Sequence, residues 1–104
     1  MKLDFDKLLP LSEATYYVLV ALDQPLHGYA VMQKVEKISE GSVIIGAGTL
    51  YGVFTALEKQ GLIVKEREEE RRKIYALTEN GRSLVREQVR RLAIMVKNGA
   101  NISA

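Results

Sequence analysis

The residues able to do chemistry in this chain fall into two clusters, and both point to anion binding. The first is Thr49, Tyr51, Gly52, Thr55 and Lys59. On a helix over 47–60 they lie opposite Leu50, Phe54 and Leu57, which recur at apolar helical spacing. Hydroxyls of Thr and Tyr reach phosphate oxygens or base edges, and a Lys ammonium pairs with phosphate. Gly48 and Gly52 lower helix propensity within one turn, and they let an anion approach backbone N–H groups at a helix start. A plainer reading makes Gly48 a turn residue and packs Tyr51 partly on its own domain. The second cluster is Arg67, Arg71, Arg72 and Lys73, at the tip of an expected hairpin. Cations there can lie against a minor groove or its flanking phosphates. Glu66, Glu68, Glu69 and Glu70 interleave with them, so one or two of the four are expected to make contact. A solvated, salt-bridged hairpin is the competing reading.

Bond-breaking chemistry has little to work with. There is no Cys and one His among the 104 residues, so no thiol nucleophile, disulfide or Cys-based metal site is available. His27 has no carboxylate or Cys cluster beside it in sequence, and a structural role at the start of a helix is expected. Gly28 is read as permitting tight helix packing, and Tyr16, Tyr17 and Tyr29 as core or interface aromatics. No phosphate-loop motif and no paired-carboxylate site is visible. No enzyme activity, cofactor or metal is expected.

The elements that must position these clusters follow from periodicity and caps. Pro10 and Ser12 start a helix over 12–22, with Ser12 as N-cap. Asp23-Gln24-Pro25 breaks it. A second helix is expected from about His27 to Ser39, ended by Gly41. Val43-Ile44-Ile45 is β-branched and predicts a short strand. Gly46-Ala47-Gly48-Thr49 opens the third helix, and Gly61 sits just past its end. Leu62-Ile63-Val64 and Lys73-Ile74-Tyr75-Ala76-Leu77 predict the two strands of a hairpin with a charged tip. Thr78 caps a last helix with Glu79 in its first turn, and Gly99 marks its expected end.

This order defines the expected fold class: mainly α with a small β hairpin, a winged helix-turn-helix plus one C-terminal dimerisation helix. The expected division is 1–78 for the winged helix-turn-helix domain and 79–104 for the dimerisation helix and tail. The helix over 47–60 holds the groove-entering position. Leu84, Val85, Gln88, Val89, Leu92 and Val96 form one stripe down the last helix. Packing on the first helix accounts for its upper part. Val89 to Val96 have no partner in so small a domain, and such a face marks an association surface. Leu8 and Leu9, with Leu3 and Phe5, could cover the same partner helix. The expected dimer interface is therefore Leu8, Leu9, Val85, Val89, Leu92 and Val96.

Charge distribution agrees weakly with a polyanion partner. The net charge is +2, but residues 1–62 sum to −2, 63–77 to +1 and 78–104 to +3. No apolar run is long enough to cross a membrane, and the acidic N-terminal stretch lacks a signal-peptide core. A cytoplasmic protein without membrane partners is expected.

Four segments carry a resemblance. Leu26-His27-Gly28-Tyr29, Gly48-Thr49-Leu50-Tyr51-Gly52, Leu57-Glu58-Lys59-Gln60-Gly61-Leu62-Ile63 and Tyr75-Ala76-Leu77-Thr78-Glu79-Asn80-Gly81 together resemble the PadR family of bacterial transcriptional regulators, over roughly residues 11–83. The resemblance implies operator binding to double-stranded DNA as a homodimer, mostly as a repressor, with release by a small-molecule effector in some members. A single C-terminal helix places the chain with the short members. Some of those bind flat aromatic ligands through a Trp on the last helix, and this chain has no Trp. The alternative function is a winged-helix protein-interaction module without operator-specific DNA binding.

Overall fold

The structure, a computed structural model, describes residues 4–103. A short 3-10 turn over Phe5–Lys7 leads to α1 (Glu13–Ala21), β1 (Leu26–His27), α2 (Gly28–Ile38) and α3 (Ala47–Lys59). The hairpin β2 (Ile63–Glu69) and β3 (Arg72–Leu77) follows, and α4 (Glu79–Ser103) closes the chain. Leu3 lies outside the described residues.

Local hydrogen bonds explain where the helices begin. Ser12 Oγ accepts from Thr15 N at 3.1 Å and starts α1. His27 Nδ1 accepts from Ala30 N at 3.2 Å and starts α2. Thr78 Oγ1 accepts from Gly81 N at 3.1 Å and donates to Gly61 O at 2.6 Å, tying the start of α4 to the end of α3. The helix ends are set as clearly. Gly61 (φ 75°) ends α3, with Leu62 N donating to Leu57 O and Gly61 N to Glu58 O. At the end of α2 the same motif runs through Glu40 (φ 53°), and Gly41 N donates to Glu36 O at 2.9 Å. The left-handed residue is thus Glu40, with Gly41 (φ 80°) after it.

Three expectations need correction. Val43-Ile44-Ile45 forms no strand. Buried Ser39 takes the backbone of this loop instead: its Oγ accepts from Val43 N at 3.0 Å and donates to Val43 O at 3.2 Å. Ile45 anchors the loop in the core while Ile44 is 72% exposed. The third strand is β1, paired antiparallel to β3 with Leu26 opposite Tyr75 and His27 opposite Ile74. The sheet therefore has three strands, in the order β1-β3-β2, not the hairpin's two. Finally, Gly99 does not end α4, which runs on to Ser103. One glycine costs a helix only about 1 kcal/mol, and no proline follows to stop it.

The core gathers one face of every helix. Val18, Leu19 and Leu22 from the α1 region meet Val31 and Val35 of α2, Leu50, Phe54 and Leu57 of α3, and Leu84 of α4. Phe54 packs on Tyr75 of β3, with ring centroids 4.5 Å apart. Gln88 is buried and its Oε1 accepts from Leu11 N at 2.8 Å, fixing the N-terminal segment to α4. Gly81 is a steric requirement: a Cβ there would stand 2.2 Å from Leu62 O. Gly28 is not one, since its Cβ would meet Leu50 and Phe54 at ordinary contact distances of 3.4 and 3.8 Å.

Candidate nucleic-acid interface

With Leu50, Phe54 and Leu57 buried, α3 turns Thr49, Tyr51, Gly52, Thr55 and Lys59 to solvent. Tyr51 is 67% exposed, so most of its ring is open to solvent while one side lines a cleft with Phe54 and Tyr75. Thr55 Oγ1 donates to Tyr51 O at 2.9 Å, which spends its proton inside the helix and leaves an acceptor outward. Lys59 has no carboxylate within ion-pair distance among the described residues. A Cβ added at Gly48 or Gly52 would meet nothing within 4 Å. Each of these glycines costs the helix about 1 kcal/mol relative to Ala, and nothing inside the chain requires either. The exposed, flattened start of α3 therefore suits close approach by something outside it.

The hairpin divides its charges in two. On β2, Arg67 pairs with Glu69 at 2.6 Å and with Glu66, and Lys65 pairs with Glu68 at 3.0 Å. The Glu69 hydrogen bond and the neighbouring carboxylates hold the Arg67 guanidinium above its ordinary range. Around the turn, Arg71, Arg72 and Lys73 are exposed and have no carboxylate within ion-pair distance among the described residues. The turn is Glu70-Arg71, both at positive φ (50° and 67°), the two-residue geometry that matches strand twist. It leaves Glu66, Glu68 and Glu69 along β2, sets Glu70 beside Arg71 in the turn, and places three cations beside α3.

Those cations, α3 and the start of α2 bound a cleft of about 510 Å³ lined by Tyr29, Tyr51, Phe54, Arg71, Arg72 and Lys73, with His27 at its edge. The structure thus brings Tyr51 together with three of the four hairpin cations and leaves Arg67 occupied elsewhere. Thr49 and Gly52 line a second groove on the other side of α3, against Ser12 and Thr15 of α1. Of the two places expected for Tyr29, core or interface, the core is excluded: it is 60% exposed in this cleft. The signal was present. Val31 and Val35 fix the buried side of α2, and Tyr29 lies two residues before Val31, about 200° around the helix.

The expected interface residues divide by depth. Val85, Leu8 and Leu9 are partly buried against the chain's own core. Leu92 is half-buried, while Val89, Met95 and Val96 are exposed at 46, 64 and 69%. From Val89 onward α4 leaves the body of the domain. Val85, Val89, Leu92 and Val96 remain on one side, and Ile94 falls on the other.

A helix-turn-helix, a hairpin with a basic tip and a long final helix define a winged-helix protein. The chain belongs to the transcriptional regulator PadR-like family, whose model matches residues 18–87. That family is one of transcriptional regulators. The chain is 36% identical over 83 residues to an uncharacterised 37.1 kDa protein in transposon TN4556 of Streptomyces fradiae, covering 79% of this chain and 24% of that one. It is 32% identical over 74 residues to the transcriptional regulator YqjI of Escherichia coli K12, covering 68% and 36%. The chain thus spans about a quarter to a third of the length of these relatives. Among solved structures, a PadR family transcriptional regulator from Eggerthella lenta superposes with a TM-score of 0.70 at 27% identity, over 86% of this chain and 80% of that one.

Proposed function

We propose that the chain binds an inverted-repeat operator as a homodimer and represses transcription in the cytoplasm by occupying it. Each protomer inserts α3 into a major groove, with Thr49, Tyr51, Gly52, Thr55 and Lys59 facing the duplex. Arg71, Arg72 and Lys73 reach phosphates beside a flanking minor groove. Arg67 serves the hairpin's own ion pairs. Residues 1–78 form the DNA-binding unit, and 79–104 supply the dimer helix through Val89, Leu92 and Val96. Val85, Leu8 and Leu9 extend that seam where their surfaces remain open. The observation that carries this reading is the combination of two internally unneeded glycines on α3 with three cations on the adjacent turn and β3 that no carboxylate pairs among the described residues.

Binding to a duplex of the chain's own promoter, followed by fluorescence anisotropy across a salt series, tests the reading. A Tyr51→Ala, Lys59→Ala double variant should lose operator affinity with its fold and dimer intact. Removing the Lys59 phosphate contact alone should lower the salt slope by roughly one. Unchanged operator affinity in the double variant, or binding without salt dependence, would instead favour a protein-interaction module.

A further inference from the structure

His27 stands between two hydrogen-bond donors. Ala30 N faces Nδ1 at 3.2 Å, and Arg72 Nη1 faces Nε2 at 3.1 Å. A backbone N–H and a guanidinium can only donate, and a neutral imidazole has a single acceptor nitrogen. The ring therefore satisfies one of them at a time. If Nε2 accepts from Arg72, its proton sits on Nδ1 and the cap of α2 is lost. If Nδ1 caps α2, the proton sits on Nε2 and points at a cation. Every charged group that faces the ring across the cleft is positive: Arg71, Arg72 and Lys73 from the turn and β3. The other titratable neighbours are Tyr29 of α2, Tyr51 of α3 and Tyr75 of β3, and no carboxylate lines the cleft among the described residues. The acids of β2 lie one strand further away, beyond β3, and Glu70 of the turn does not line the cleft.

An anion in the cleft resolves this conflict. It accepts from Arg72, drawing the guanidinium off the ring, and it accepts from Nε2–H. Nδ1 is then free to cap α2 without competition. We infer that His27 is a further phosphate-binding residue: the α2 cap commits its proton to Nε2, and that N–H is given to the same DNA backbone phosphate that takes Arg72. This rests on the DNA-binding reading above and adds to it a contact that links the start of α2 to the wing.

The substitution His27→Asn separates the two roles, because Asn is a strong N-cap but is too short to present a donor at the Nε2 position. Binding of wild type and variant to the promoter duplex and to a random duplex is compared by anisotropy. Long-range ¹H–¹⁵N spectra report the ring tautomer, free and bound. The expected result is a variant with an unchanged thermal midpoint and about tenfold weaker binding to both duplexes, as for loss of a hydrogen bond to a charged group. The bound wild-type ring is expected as the Nε2–H tautomer. Equal affinity in the variant, or an Nδ1–H ring in the complex, overturns the role of His27 while leaving duplex binding standing. A wild-type chain that binds neither duplex overturns both.

Discussion

At the scale of single residues, the hairpin cations are alike in the sequence and unlike in the fold. Arg67 is held by Glu69 and Glu66, whereas Arg72 meets a histidine and has no carboxylate within ion-pair distance among the described residues. Arg72→Ala should therefore weaken duplex binding and flatten its salt dependence by about one unit, while Arg67→Ala should do neither. Equal losses in the two variants would contradict this division. Asp23 illustrates a purely structural charge. Its hydrogen bond from Lys34 at 2.5 Å lowers its carboxyl below the ordinary range. A carboxyl lowered in the fold stabilises the protein above its unfolded titration range, and that contribution disappears as pH falls through the folded value. The pair is largely solvent-exposed and screened, so Asp23→Asn should cost less than about 1 kcal/mol at pH 7 and nothing in strong acid, as urea titrations at the two pH values would show.

At the scale of elements, Gly81 and the wing turn carry the sharpest expectations. A methyl at Gly81 would run into the Leu62 carbonyl, where the start of α4 crosses the chain leaving α3. Overpacking of that kind costs about 1–3 kcal/mol, more than the roughly 1 kcal/mol an alanine returns in helix propensity. Gly81→Ala should lower the thermal midpoint, and Gly99→Ala, where no neighbour would be met, should not. The contrast shows what the sequence could tell. The caps at Ser12 and Thr78, the end of α3 at Gly61 and the buried face of α3 were legible, because each depends on neighbours a few residues away. The loop over 43–45 was not, because a buried serine side chain supplies the hydrogen bonds its β-branched residues would seek in a sheet. β1 was not either, because two residues acquire strand geometry only by pairing with β3, far along the chain. The wing turn was hidden because Glu70-Arg71 lacks the Asn or Gly that marks such turns. In the candidate site, the α3 face and the basic tip were readable from spacing and composition. The sorting of Arg67 from Arg72, and the place of Tyr29, needed the fold.

At the scale of the molecule, the 25-residue α4 is about 37 Å long, and only its first turns touch the domain. Among the described residues the distal apolar side is left largely open, with Val89 and Val96 exposed and Leu92 half-buried, which is why we propose the dimer seam there. Leu92→Asp would place a charge in that seam, a strongly unfavourable burial, and sedimentation should shift from dimer to monomer. A wild type that is already monomeric at micromolar concentration would refute the assignment. Two α3 helices related by a two-fold axis meet successive major grooves about 34–36 Å apart. Footprints should therefore show inverted half-sites about one helical turn, or a whole multiple, apart. On the proposed reading the wing's cations hold phosphates and not bases, so neutralising Arg71, Arg72 and Lys73 together should weaken operator and random duplex by similar factors. The central claim is that the bare face of α3 exists to be approached closely by DNA, and Gly52→Leu tests it most directly. The open space at Gly52 and the better helix propensity of Leu should keep the thermal midpoint equal or raise it by a few degrees. The same side chain should hold the duplex away from the helix. The account predicts a folded, dimeric variant with operator affinity reduced to that for random DNA; a folded variant that binds the operator as tightly as wild type would contradict it.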